Sequence, residues 1–70
     1  MLRNSIISTS IASLGYDPNQ STLEIEFLEG AVYQYHNIPT AVYLSFVNAN
    51  SCGRYFNAHI KPHYKYNKAC

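Results

Sequence analysis

The sequence predicts an α+β domain: a three-stranded antiparallel sheet with one amphipathic helix packed across it and a short C-terminal helix. Three stretches carry that expectation. "LEIEF" (23–27) alternates apolar and acidic residues with the period of a strand. "LEG" (28–30) followed by "AVYQYH" is a hairpin connection with a glycine at its end. "IPTAVYLSFVNAN" (38–50) then changes to helical spacing.

The first strand falls before "DPNQST", a cluster of turn formers, where Ala12, Leu14 and Tyr16 alternate on one side of the chain. In the second strand Leu23, Ile25 and Phe27 share one face and Glu24 and Glu26 the other. The hairpin has two possible registers. A two-residue Glu29-Gly30 turn would set Tyr33 and Tyr35 beside the glutamates. A three-residue Leu28-Glu29-Gly30 loop, with Gly30 in a left-handed conformation, sets Ile25 opposite Tyr33 and Leu23 opposite Tyr35. The second keeps the tyrosines on the apolar face, and glycine adopts the required positive φ at low cost. The helix begins near Pro39 or Thr40 and presents Val42, Tyr43, Phe46, Val47 and Ala49 as one stripe. Ser51 to Gly53 interrupts it. "RYFNAHI" resumes helical spacing, with Phe56 and Ile60 paired at i, i+4, until Pro62. The domain is expected over 10–66, with 1–9 an N-terminal extension and 67–70 a C-terminal tail.

Seventy residues form one small domain, which buries only about 60% of its unfolded surface and has little room for a deep catalytic cavity. Hydrophobic residues make up 47% of the chain and charged ones 13%, a composition that folds. The charges are unevenly placed. Arg3 stands against Asp17, Glu24, Glu26 and Glu29 in residues 1–53, whereas 54–70 hold Arg54, Lys61, Lys65 and Lys68 and no acid. A basic C-terminal quarter favours anionic partners such as phosphate, or serves as a solvated tail. Cys52 and Cys70 do not form a dense disulfide pattern and read as thiols. Ser and Thr interrupt the apolar positions of the first fifteen residues, and nothing reaches the length of a membrane span, so a cytoplasmic protein without a membrane partner is expected.

Catalytic and metal chemistry find little support. His59 and His63 are four apart with Cys52 upstream, but Pro62 breaks the helix that would align them, and a fourth ligand would have to come from Cys70 or His36. Cys52 with a histidine lacks a specified orienting acid. Glu24 and Glu26 on one strand face are ordinary surface patterning. No enzyme activity and no cofactor are expected. The Ser51-Cys52-Gly53 turn either caps the following helix or offers free N–H groups to an anion, with Arg54 alongside. Seven Tyr and three Phe fill the core of a small domain. In "KPHYKY", tyrosines alternating with basic groups also suit base stacking.

Several of these features occur together in one family. "SIASLGYD", "LEIEFLEGAVYQYHNIP", "VYLSFVNANSCGRYFNAHI" and Tyr64 resemble the KTSC domain, a short module found at the C-terminus of some lysyl-tRNA synthetases and as free-standing bacterial and phage proteins. The shared points are Tyr16-Asp17, Tyr33-x-Tyr35, Pro39, Tyr43, Ser51-x-Gly53, Tyr55-Phe56-Asn57, Ile60 and Tyr64. The chain departs from a typical member at Cys52, where a polar or charged residue is common, and after Tyr66. The resemblance implies RNA binding, suggested by the synthetase context, and supplies no established activity to carry over.

The expected function is therefore a non-enzymatic RNA or nucleic-acid binding module. Arg54, Lys61 and Lys65 would contact phosphates, and the turn from Ser51 to Gly53 would receive one. Tyr64 or Tyr66 would stack on a base, and Asn57 and His59 would read a base edge or hold the loop. The alternative is a homo-oligomeric protein-interaction module or one that binds a small ligand such as a nucleotide.

Overall fold

The computed structural model describes residues 3–6 and 8–69. It is an α+β fold built on a five-stranded antiparallel sheet in the order β1-β2-β3-β4-β5. The strands are β1 (Asn4–Ser5), β2 (Ile11–Asp17), β3 (Thr22–Phe27), β4 (Val32–Tyr35) and β5 (Tyr66–Lys68). Between β4 and β5 run α1 (Thr40–Val47) and α2 (Cys52–Tyr55), the latter continued by a π-helical turn over Phe56–Ile60.

The three expected strands are the centre of a wider sheet. β1 and β5 add the edges, and they lie in or beside the segments read as extension and tail; Met1, Leu2, Ile7 and Cys70 lie outside the described residues. Neither edge carries apolar alternation, so tertiary pairing makes these strands rather than local pattern. β1 is held by the Arg3 Nε to Glu24 Oε2 ion pair at 3.5 Å and by Ile6 N donating to Ala12 O. β5 is held at both ends, where His36 N donates to Lys65 O and Ala69 N to Val32 O.

The hairpin takes the three-residue form. Leu23 pairs with Tyr35 and Ile25 with Tyr33, Phe27 N donates to Ala31 O, and Gly30 has φ +105°. In β2 the expected alternation is corrected by a bulge. The register shifts between Ile11 and Ser13, so Ile11 opposes Phe27 while Ser13 opposes Glu26. The extra residue, Ala12, turns Ile11 into the core, where it is fully buried, as is Leu14.

The core joins Ile11, Leu14, Leu23, Ile25 and Tyr35 of the sheet to Ile38, Phe46, Phe56 and Ile60. The alternate residues of the central strands form a polar ladder on the other face. There Ser13 Oγ donates to Glu26 Oε1 and Gln34 Nε2 to Glu24 Oε1. α1 starts after Pro39, as expected, and lies against the apolar face with Phe46 buried. Tyr43 stacks on Tyr16 at 4.5 Å, and the Tyr16 hydroxyl donates to Ile38 O at 2.6 Å, which fixes the entry into α1.

The break between the helices lies earlier than the sequence suggested. Cys52 and Gly53 belong to the first turn of α2, and Ser51 is its cap, with Oγ accepting from Arg54 N at 3.3 Å. Gly53 packs closely on Ser10, just before β2, where a Cβ would lie 3.1 Å from Ser10 Oγ and the serine side chain would have to give way slightly. Cys52, a free thiol, donates from Sγ to Phe46 O and ties α2 to the end of α1.

Two substitutions test this architecture. Tyr35→Ala should cost about 3–5 kcal/mol in urea unfolding, as expected for a buried aromatic, and Tyr33→Ala less, because its ring is half-buried. Gly30→Ala should cost roughly 1–2 kcal/mol through its positive φ. An unchanged midpoint for Gly30→Ala would mean that the loop does not need its glycine.

Candidate nucleic-acid interface

The first face of interest lies where β5, the β3–β4 hairpin and the π-helical turn meet. A cleft of about 360 Å³ is lined by Ser10, Phe27, Glu29, Tyr33, Tyr35, Phe56, Asn57, Lys61 and Tyr66. Its walls follow from the strand register. Tyr35 faces Tyr66 across the β4–β5 pair, and Tyr33 and Tyr35 are two residues apart on the same face. The rings form a continuous set, edge-to-face except for the tilted Tyr35–Tyr66 pair. Phe27 meets Tyr33 at 5.6 Å and Phe56 at 5.5 Å, while Tyr35 meets Phe56 at 5.4 Å and Tyr66 at 5.1 Å. Tyr33 and Tyr66 close the ring at 5.3 Å and 88°. These are the spacings at which aromatic pairs attract beyond simple burial. Phe56 is buried as the floor, and Tyr66 is 55% exposed as the outer wall.

The π-helical turn supplies the polar rim. Lys61 N donates to Phe56 O at 2.8 Å, five residues back, and this wider turn carries Asn57 and Lys61 at the cleft while Phe56 and Ile60 point inward. Glu29 enters from the hairpin loop. Among the described residues, neither Glu29 nor Lys61 has an ion-pair partner.

Burial in this cluster, together with the neighbouring phenols of Tyr66 and Tyr33, pushes the Tyr35 hydroxyl from 10.0 up to about 12. Tyr35 is only 3% exposed, so its neutral form is the one the folded cleft presents at ordinary pH.

The expected site residues do not all meet. Asn57, Lys61 and Tyr66 share the cleft. Ser51, Arg54 and His59 line a separate, shallower depression with Ala49, Asn50, Tyr55 and Ala58 on the other side of the same helical segment. There His59 lies against the Tyr55 ring at 4.6 Å, and Tyr55 stacks on Phe46. Gly53 is inside α2 beside Ser10. Tyr64 is half-buried against the core, so Tyr66 is the more exposed ring. Lys65 is exposed just before β5, with its carbonyl held by His36 N. At the Ser51 turn, two N–H groups are used within the turn, Arg54 N by Ser51 Oγ and Tyr55 N by Ser51 O. Capping is thus the structural role of Ser51.

Glu29, Ser10 and the inner rings were missed as site residues. Glu29 reads in the sequence as a loop acid, and only the β2 bulge and the Leu28 N to Ser10 O bond bring Ser10 to the hairpin loop. Among the described residues, no group of three His, Cys, Asp or Glu could hold a metal ion, and no helix is long and apolar enough to cross a membrane.

Comparison with known proteins agrees on one family. The KTSC domain family model matches residues 7–64. A protein of Stutzerimonas stutzeri is 48% identical over 67 residues, 94% of either chain. A lysine–tRNA ligase of Nostoc sp. is 39% identical over 56 residues, which are 80% of this chain and 10% of the ligase. The crystal structure of a KTSC domain protein from Yersinia pestis superposes with a TM-score of 0.95 at 38% identity, covering 99% of this chain and 97% of that one.

The phenol cluster gives a pH test. Tyr35 has a raised folded-state pKa, so its contribution to stability is fully present below pH 10 and is lost as pH rises towards about 12. Tyr35→Phe should flatten this alkaline decline in chemical denaturation and remove a phenol with a raised pKa from a phenolate absorbance titration. An alkaline limb that Tyr35→Phe leaves unchanged would place the effect elsewhere.

Proposed function

The chain belongs to the KTSC domain family, and for this member we propose a non-enzymatic module that binds single-stranded nucleic acid, RNA in the first instance. The observation that carries the reading is the cleft, where five aromatic rings meet Lys61 and Asn57. Single-strand binders combine aromatic platforms with cations that follow the backbone. Here Tyr66 offers an exposed ring to an unpaired base, and Lys61 is placed for the phosphate of that nucleotide. Lys65 lies one residue before the Tyr66 strand, and Arg54 with His59 extends the cationic surface across the helix. The similarity to a segment of lysine–tRNA ligases supports RNA as the partner, although that segment is about a tenth of those enzymes.

The small-ligand alternative is tested in the same experiment, because a cleft of about 360 Å³ is within the range of small-molecule sites. Labelled single-stranded RNA is titrated at several salt concentrations with a mononucleotide as control. With three or four phosphates neutralised, the log–log slope of affinity against salt should be about −2 to −3, at roughly −0.7 per phosphate. Lys61→Ala and Arg54→Ala should each weaken binding and flatten the slope by a fraction of a unit. Tyr66→Ala should weaken binding by about 1–3 kcal/mol, the value of one stacked base, and leave the slope unchanged. Absence of RNA binding at low salt, with tight one-to-one mononucleotide binding, would replace this reading by the small-ligand one.

A further inference from the structure

We infer that the cleft is selective for guanine among the bases, with Glu29 as the residue that selects. The inference rests on the nucleic-acid reading above and specifies its ligand. The cleft has two charged lining residues of opposite sign, Glu29 and Lys61, and among the described residues neither is neutralised by an ion-pair partner. Both are exposed to solvent, and a ligand that engages both carries an anionic group for Lys61 and a hydrogen-bond donor edge for Glu29. A nucleotide separates these two features across its sugar.

Glu29 is not on a loosely tethered loop. Gly30 N donates to Phe27 O and Leu28 N to Ser10 O, so both neighbours of Glu29 in the chain are held by backbone hydrogen bonds. An ionised carboxylate only accepts, and it can accept two parallel bonds. Of the four bases, guanine alone presents two adjacent donors on its Watson–Crick edge, N1–H and the N2 amino group. Adenine and cytosine present one amino group beside a ring-nitrogen acceptor. Uracil presents a single N–H between two carbonyl oxygens, which a carboxylate repels. Asn57, at the same rim, supplies a donor for the remaining guanine O6. The aromatic walls stack on any base and so add affinity without choice. Selection therefore falls to the carboxylate.

The test uses the whole chain and short, end-labelled oligouridines carrying one central guanosine, inosine, adenosine or cytidine, with affinities read by fluorescence anisotropy at low salt. Inosine keeps N1–H and loses the amino group, so it isolates the second hydrogen bond. The guanosine oligomer should bind about tenfold tighter than the inosine and all-uridine oligomers, within the discrimination expected of a bidentate contact. Glu29→Gln should abolish the difference between guanosine and inosine while retaining binding to oligouridine. Its exposed loop position makes the variant's folding easy to confirm by thermal melt. Equal binding of the guanosine and inosine oligomers by the parent, or a preference that survives Glu29→Gln, overturns the inference and leaves the nucleic-acid reading standing. Failure to bind any oligomer removes that reading and this inference with it.

Discussion

The register of the β3–β4 hairpin is the constraint on which the rest of the molecule depends. Gly30, at φ +105°, lets a three-residue loop close so that Tyr33 and Tyr35 oppose Ile25 and Leu23. A shift of one residue would move both rings to the face of Glu24 and Glu26 and carry Gln34 to the apolar face, because side chains alternate strictly along a strand. The glutamate face is already committed to the cross-strand bonds of Ser13 with Glu26 and of Glu24 with Gln34. The loop and the polar ladder therefore specify one register from opposite sides of the sheet. With it come the pairing of Tyr35 with Tyr66 and the existence of β5.

Phe56 converts this register into the aromatic cleft. Its ring meets Phe27 of β3 and Tyr35 of β4 and so connects the helical segment to two strands at one point. The wide turn that begins at Phe56 brings Asn57 and Lys61 to the same rim while Ile60 stays in the core. Strain or mobility in that turn would be felt at once in the cleft, because the floor, Phe56, and the rim residues Asn57 and Lys61 come from one short run of chain. Wider turns of this kind inside helices are found frequently at functional sites, where a regular helix would aim the side chains elsewhere.

Much of the fold was legible because the central elements announce themselves locally. The "LEIEF" alternation, the glycine-ended loop and the stripe from Val42 to Val47 each agree with the tertiary structure. What escaped was whatever depends on partners distant in the chain. Asn4–Ser5 and Tyr66–Lys68 have no strand pattern of their own and become strands because β2 and β4 offer open edges. The bulge at Ala12 leaves no trace in composition, yet it decides that Ile11 is core. For the site, the basic and aromatic character of residues 51–66 was visible, but its division was not. Helical spacing alone suggested one surface, and the wide turn after Tyr55 divides it in two.

That division bears on the geometry of any polyanion this chain binds. Lys61 and Asn57 face the aromatic cleft, whereas Arg54 and His59 face the depression on the far side of the same segment. A rigid duplex presents its phosphates on a regular cylinder and would reach one side or the other. Its bases are also stacked and paired, so none is free to lie against Tyr66. A single strand has neither limitation. It can place one unpaired base in the cleft, give the adjoining phosphate to Lys61 and cross the helix towards Arg54, as flexible strands do on the platforms that bind them. On the proposed function, the arrangement that a sequence reading would regard as one basic patch thus suits an unpaired, flexible ligand for a physical reason: its charges lie on two sides of a helix and its rings on only one.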